Sequence, residues 1–492
     1  MKKVVVLGGG TAGWMSAALV KKLMGTSIEV ELVESDDIAS IGVGEATIPP
    51  IRLFNSALGI NEAEFLRETK ATIKLGIKFE HWKNTKESYF HTFGAAGKSS
   101  PFCHFHHYLK RAQDAGLENH LWDYDLNYLC ALQGKFAQIK SKEPIIDIPY
   151  AFHFDAGLYA QFLRRFSERI GVTRTEGIVA SVKQCDSSGD VIKLVLENGE
   201  EITGDLFIDC SGFRGLLIQQ TLNTGYENWG HWLPCDRAVA VPSKRFDETL
   251  PYTRSIAHPG GWQWRIPLQH RNGNGLVYSS NHYSDEQAKA LLLANIESEP
   301  LAEPKVIKFT TGRRRKQWHK NVIAIGLSSG FLEPLESTSI HLIQSAIVRL
   351  IHMFPQNGIS EAQVDEYNRQ SKVEFEQIRD FIILHYHVNQ RGDSQLWRDL
   401  RAMEIPESLK NKIKLFKESG KIFREQSDLF NEGSWLQVML GQGIEPEDYH
   451  PMANEMPLEQ LNLMLEKIRK IKLEPLSKLP SHDEYLRNFC RL

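Results

Sequence analysis

Three glycines and an acid near the start of the chain are the first residues whose spacing suggests chemistry. Gly8, Gly10 and Gly13 form the pattern GxGxxG within Gly8-Gly9-Gly10-Thr11-Ala12-Gly13. The first allows a tight turn, the second lets backbone approach a pyrophosphate, and the third lets helix pack on strand. Thr11 and Ala12 open the helix, whose unpaired N–H groups suit a phosphate charge. Glu34 follows Gly13 by about 20 residues, where an acid accepts hydrogen bonds from an adenosine ribose and disfavours a 2′-phosphate.

Those residues need a strand, a turn and a helix to hold them, and the pattern supplies all three. Val4–Leu7 is a continuous apolar run, as in a parallel strand buried on both faces. A helical stretch through Ala17, Leu19, Val20 and Leu23 follows, then a strand over Ile28–Val33 ending at Glu34. The middle of the chain reads as β-rich, with Asn198-Gly199 a hairpin turn and Asp205–Asp209 and Asn321–Gly326 buried strands. Beyond about residue 335 the period becomes helical: Ile340, Ile343, Ile347 and Leu350 recur on one face, and Ser360 with Gln363 forms a capping box. The expected architecture is α/β: a GxGxxG fold of the FAD-binding, glutathione-reductase-like kind, a β-rich substrate region and a mainly helical C-terminal layer. The expected division is 1–345 for the FAD-binding body with interleaved substrate segments and 346–492 for a helical substrate-covering module.

FAD is favoured over NAD. Asp205–Asp209 runs into Cys210-Ser211-Gly212, and Asn321–Gly326 into Leu327-Ser328-Ser329-Gly330, two strand-to-small-residue turns that bring backbone close to a large cofactor. No second GxGxxG offers a pyridine-nucleotide site, so the flavin is expected to be reduced elsewhere.

Composition narrows the partners. The chain has 492 residues, 42% hydrophobic and 24% charged, enough to bury a core without disulfide or metal staples. Lys and Arg number 58 against 61 Asp and Glu, and a net charge of −3 gives no basic field for nucleic acid or an anionic membrane. The six cysteines are scattered without a CxxC pair, and no apolar run approaches a signal core or a membrane span, so a soluble cytoplasmic protein is expected.

Four further stretches carry a resemblance. Trp262-Gln263-Trp264-Arg265-Ile266-Pro267 reads WxWxIP; Phe331-Leu332-Glu333-Pro334-Leu335-Glu336-Ser337-Thr338 is an acid-bearing turn before a helix; Gly42-Val43-Gly44-Glu45-Ala46-Thr47-Ile48-Pro49 is a small-residue strap; and Lys78 lies in Ile77-Lys78-Phe79-Glu80. On these, over essentially its full length, the sequence resembles the flavin-dependent tryptophan halogenase family. The resemblance implies that Lys78 and Glu336 are catalytic and that Gly44, Ala46, Gly326 and Leu335 join the glycine-rich turn in holding FAD. It implies a substrate region containing His91, Phe93, Trp262, Trp264 and Trp435, the two tryptophans of WxWxIP keeping substrate away from the flavin.

The residue types suit that chemistry. Reduced flavin and O2 give an electrophilic oxygen that chloride or bromide can attack, yielding hypohalous acid. The halide is expected at Thr338 and the Ser339 amide, at the N-terminus of a helix starting near Ser337, where backbone N–H groups and the dipole favour an anion. Lysine can hold the halogenating species as a hydrogen-bonding ammonium or as a haloamine. Glu336 can orient it and accept the proton lost from the ring. Lys78 and Glu336 are remote in sequence, so only the fold can unite them.

His104, His106 and His107 lack metal-ligand spacing and are expected to be aromatic wall residues; no metal is expected. The resemblance implies that tryptophan-specific members grip the amino-acid end with a tyrosine pair; the matching Asn431–Val438 stretch has Trp435 but no such pair, so the expected substrate is an electron-rich, indole-type aromatic rather than free tryptophan. A separate flavin reductase is the expected partner, and a homodimer is left open. The competing readings are a flavin-dependent aromatic monooxygenase, against which WxWxIP argues, and a non-catalytic FAD-fold binding protein.

Overall fold

The computed structural model describes residues 1–37, 44–139 and 144–490, so Gly42 and Val43 of the strap lie outside the described residues. The chain divides into two compact units: Met1–Ala71, Phe154–Asp236 and Ile307–Glu376 in the first, and Thr72–His153, Arg237–Val306 and Gln377–Leu492 in the second.

The first unit is built on a sheet with the strand order Trp318–His319, Val322–Ala324, Leu206–Asp209, Lys3–Leu7, Glu29–Glu34, Thr173–Glu176. All neighbours are parallel except the first pair. Val4, Val5 and Val6 are fully buried, as the uninterrupted apolar run requires. One cluster joins Val5, Leu7 and Phe207 of the sheet to Val191, Leu194 and Leu196 of an adjacent hairpin layer, each residue contributing about 1.5–3 kcal/mol by leaving water. That layer turns at Asn198-Gly199, where Gly199 takes φ +86°. Helix Thr11–Met24 buries Trp14, Met15, Ala17 and Ala18.

Helix Ser339–His352 carries the expected apolar face, and the Ser360–Gln363 capping box is reciprocal, at 3.1 and 3.2 Å. Residues 346–376 belong with the first unit, whereas the sequence places a boundary at 345/346. Arg349 pairs with Glu374 at 2.6 Å, and the Asn368 side chain accepts the backbone N–H groups of Gln317 and Trp318.

The second unit holds six neighbouring strands of a seven-stranded sheet, in the order Arg237–Lys244, Arg271–Tyr278, Gly261–Pro267, Thr253–His258, Gly76–Glu80, Ser88–Thr92. Its neighbours are antiparallel except Thr253–His258 with Gly76–Glu80. A separate strand, Thr72–Lys74, pairs antiparallel with Ala151–Phe154. Leu75 separates Thr72–Lys74 from Gly76–Glu80; its N–H donates to the Pro251 carbonyl and its carbonyl accepts the Phe93 N–H. Helices Gln395–Ala402, Glu407–Ser419, Glu432–Gly441, Leu458–Leu473 and His482–Phe489 complete the unit. Among the described residues no helix is long and apolar enough to cross a membrane.

Candidate active site

In the first unit the glycine-rich turn fits a dinucleotide. A Cβ at Gly8 would strike the Cys210 carbonyl, and one at Gly13 the Gly8 carbonyl, so both glycines are fixed by backbone packing. A Cβ at Gly10 would meet nothing within 4 Å: open space lies beside the N-cap of helix Thr11–Met24, whose first turn has no acid. That is the cradle a pyrophosphate needs. Gly326, at φ +75°, leaves room for the Ala12 methyl, and the same glycine lies against Ile343 of helix Ser339–His352. Glu34 ends its strand as expected, with Arg174 at 2.7 Å and Arg164 at 3.7 Å on one carboxylate oxygen. Asp36 shares Arg174 with it, at 3.1 Å. Gly44 takes φ +91°, and Ala46 is buried on a short strand.

The acid-bearing turn differs from expectation by two residues. Pro334–Glu336 is a 3-10 turn, Ser337 swings into the left-handed region at φ 60°, and the α-helix begins only at Ser339, with Thr338 as N-cap. The left-handed residue breaks the helical path, so Ser337 cannot start it. Leu335, Glu336 and Thr338 are all buried. The Thr338 hydroxyl is buried with no hydrogen-bond partner, and the first helical turn carries no acid. An orphaned donor beside unpaired helix N–H groups is a fit for a halide. Thr338→Val keeps the shape and deletes that donor, so it is expected to raise the bromide KM about tenfold, read from bromide titrations at fixed aromatic substrate.

The second unit holds the remaining site residues, and sheet geometry sorts them. Alternation places Ile77, Phe79, Tyr89 and His91 on one face of the Gly76–Glu80 and Ser88–Thr92 pair, with Lys78, Glu80 and Phe90 on the other. Lys78 is 30% exposed and lies 4.0 Å from Glu80. Burial would raise the Glu80 carboxyl, but the Arg254 hydrogen bonds and charge, helped by Lys78, hold it below the usual carboxylate range. Lys78 therefore belongs to a structural ion network, on the face away from His91.

His91 packs edge-on to Phe381 at 5.6 Å and lies 6.2 Å from Phe430; Phe381 in turn meets Trp435 at 4.9 Å. Gln437 accepts the Thr92 backbone N–H at 2.9 Å and donates to the Thr92 carbonyl at 3.3 Å, fastening helix Glu432–Gly441 to that strand. Trp262 and Trp264 are both buried, on the Phe79 face, and Gly275 opposite Trp264 provides the space for its ring.

Lys74, which the sequence reading passed over, is fully buried, and its ammonium lies 5.4 Å from the ring centroid of Phe93. Fully buried lysines are rare, because removing an ammonium from water is costly. Its strand is locked: Thr72 hydrogen-bonds His153 at 3.0 Å and the Pro267 carbonyl at 2.7 Å, and His153 reaches Thr253 at 2.9 Å. Burial first, then the Lys74 charge, hold His153 well below the ordinary histidine range, so a neutral ring stands beside the ammonium.

Of the histidine trio, His106 bonds the Gly420 carbonyl at 2.7 Å, and His107 accepts the His450 N–H at 3.3 Å. Burial pushes His106 down to about 4 and His107 to about 3. Among the described residues no group of three or more His, Cys, Asp or Glu could hold a metal.

The profile of the tryptophan halogenase family matches residues 3–458. The chain belongs to the tryptophan halogenase family. It is 32% identical to the tryptophan 7-halogenase RebH of Lentzea aerocolonigenes, over 99% of this chain and 98% of that one. Among solved structures, a flavin-dependent halogenase from Xanthomonas campestris is similar at 48% identity and TM-score 0.97, covering 99% of this chain and 98% of that one. BrvH, a flavin-dependent halogenase from Brevundimonas sp. BAL3, is similar at 42% identity and TM-score 0.96, covering 99% of each chain. The α/β fold expected from the sequence matches these structures, and the enzyme is a flavin-dependent halogenase of aromatic substrates.

The residues singled out above are divided between the units. The glycine-rich turn, Glu34, Gly326, Glu336, Thr338 and Ser339 lie in the first, and Lys74, Lys78, His91, Phe93, Trp262, Trp264 and Trp435 in the second.

Proposed function

We propose that the enzyme halogenates an indole-type aromatic rather than free tryptophan, with Lys74, not Lys78, holding the halogenating species. Lys74 is the observation that carries this reading: a fully buried ammonium against Phe93, which stands two residues beyond His91 in the chain. Lys78 keeps a partly exposed ion pair on the sheet face away from His91.

FAD, reduced by a separate flavin reductase, would be held by Gly8, Gly10, Thr11, Ala12, Gly13, Glu34, Gly44, Ala46, Gly326 and Leu335, and with O2 would supply the oxidising power that converts halide to hypohalous acid. Thr338 and the Ser339 amide hold the halide. Lys74 donates to the hypohalous oxygen or carries the halogen on nitrogen, and so delivers it to one ring position. Glu336 accepts the proton lost from that ring carbon. His91, Phe93 and Trp435 wall the aromatic substrate, and their rings leave the amino-acid end of free tryptophan without a matched pair of partners. Because the reductase draws on reduced nicotinamide, the reaction belongs in the cytoplasm.

The test is an aromatic library incubated with reductase, NADH, FAD, O2 and bromide, read by mass spectrometry. Indole is expected to gain bromine, and free tryptophan to react at least about tenfold more slowly. Hydroxylated products, or a preference for free tryptophan, would overturn the reading.

A further inference from the structure

The aromatic wall of the second unit includes a cation with no part in the chemistry above. Lys412, on helix Glu407–Ser419, places its ammonium 4.2 Å from the Trp435 ring centroid. Asp428, 2% exposed at its side chain, anchors that ammonium at 2.6 Å and also accepts the Glu425 backbone N–H at 3.2 Å. Only one of the three ammonium N–H groups is used by Asp428. The Trp435 indole N–H is buried and has no partner. Phe381, stacked on Phe430 at 3.8 Å, meets the Trp435 ring edge-on at 4.9 Å. Two kinds of donor thus lie at Trp435, and the Asp428 carboxylate takes both of its bonds, from Lys412 and from Glu425, on Oδ2.

We propose that Lys412 is a specificity-determining residue that selects indole-type substrates whose side chain ends in a carboxylate or carbonyl oxygen and rejects those ending in an ammonium. This rests on the reading that Trp435 walls the substrate. An oxygen acceptor satisfies the ammonium and the Trp435 N–H together. A second ammonium satisfies neither and meets a like charge. Lys412 is 23% exposed at its side chain, so the selection weakens as salt rises.

The experiment compares kcat/KM for indole-3-acetate and tryptamine, each normalised to neutral indole, in the wild-type enzyme and in Lys412→Met, Lys412→Arg and Asp428→Asn. The wild type is expected to favour the anion about tenfold or more. Lys412→Met should cut that ratio at least about fivefold, Lys412→Arg should restore it, and Asp428→Asn, which strips the cation of its counter-charge, should enlarge it. Thermal melts identify a variant that fails to fold, and the other variants then decide. A ratio unchanged in Lys412→Met while indole is still brominated would overturn the proposal alone. Failure of the wild type to brominate any indole would overturn the underlying reading as well.

Discussion

Lys74→Ala is expected to lower indole bromination by about 10³-fold, the scale of losing a positioned donor that acts on the reacting atoms. Lys78→Ala should stay within about twofold of wild type, because a partly exposed ion pair contributes at most about 1 kcal/mol. FAD binding, followed by flavin fluorescence, should be unchanged in both variants, since neither lysine belongs to the glycine-rich cradle. The contrast rests on burial and on neighbours. Lys74 is fully enclosed against Phe93, whereas Lys78 sits with Glu80 and Arg254 on the side of the sheet away from His91. An inactive Lys78→Ala beside an active Lys74→Ala would return the role to Lys78.

Glu336→Gln is expected to lower kcat by about 10²–10³-fold, as removal of a general base does. The amide keeps the shape of the side chain while losing its ability to take a proton. Glu336 is 1% exposed, in the 3-10 turn directly before Ser337 and Thr338. Because Thr338 and Ser339 are the proposed halide contacts, the bromide KM should move by less than about threefold in this variant. That pattern is the inverse of the one expected for Thr338→Val, and the two together separate proton removal from halide binding. A Glu336→Gln enzyme with wild-type kcat would end the general-base assignment.

The pattern of residues makes the first unit legible. Val4–Leu7, the glycine-rich turn and Glu34 form one strand–turn–helix–strand unit whose local preferences agree with the packing. The lysine is not legible in the same way. In Thr72-Ile73-Lys74-Leu75-Gly76-Ile77-Lys78-Phe79 the two lysines stand four apart in an alternating run, and an unbroken strand would put both on one face. The run changes partners along its length: Thr72–Lys74 pairs with Ala151–Phe154, Gly76–Glu80 pairs with Thr253–His258 and Ser88–Thr92, and Leu75 already bonds Pro251 and Phe93 beside those two strands. Spacing therefore does not separate the two lysines; burial does, with Lys74 fully buried and Lys78 30% exposed. Their neighbours do not separate them either, since Ile73 and Leu75 flank one lysine and Ile77 and Phe79 the other. The helix start near Ser337 failed for a related reason: a left-handed serine is set by the turn around it and leaves no mark in hydrophobic periodicity.

The paired hydrogen bonds between Gln437 and Thr92 act as a clasp on the last strand of its sheet. A single side-chain amide imitates the rung of a neighbouring strand, and in doing so registers the helix bearing Trp435 against the strand bearing His91. Anyone redesigning this enzyme for new aromatics by grafting segments around residue 435 should therefore carry the glutamine along. Without it, that helix and that strand become independent parts, and regiochemical control would be the first property to blur.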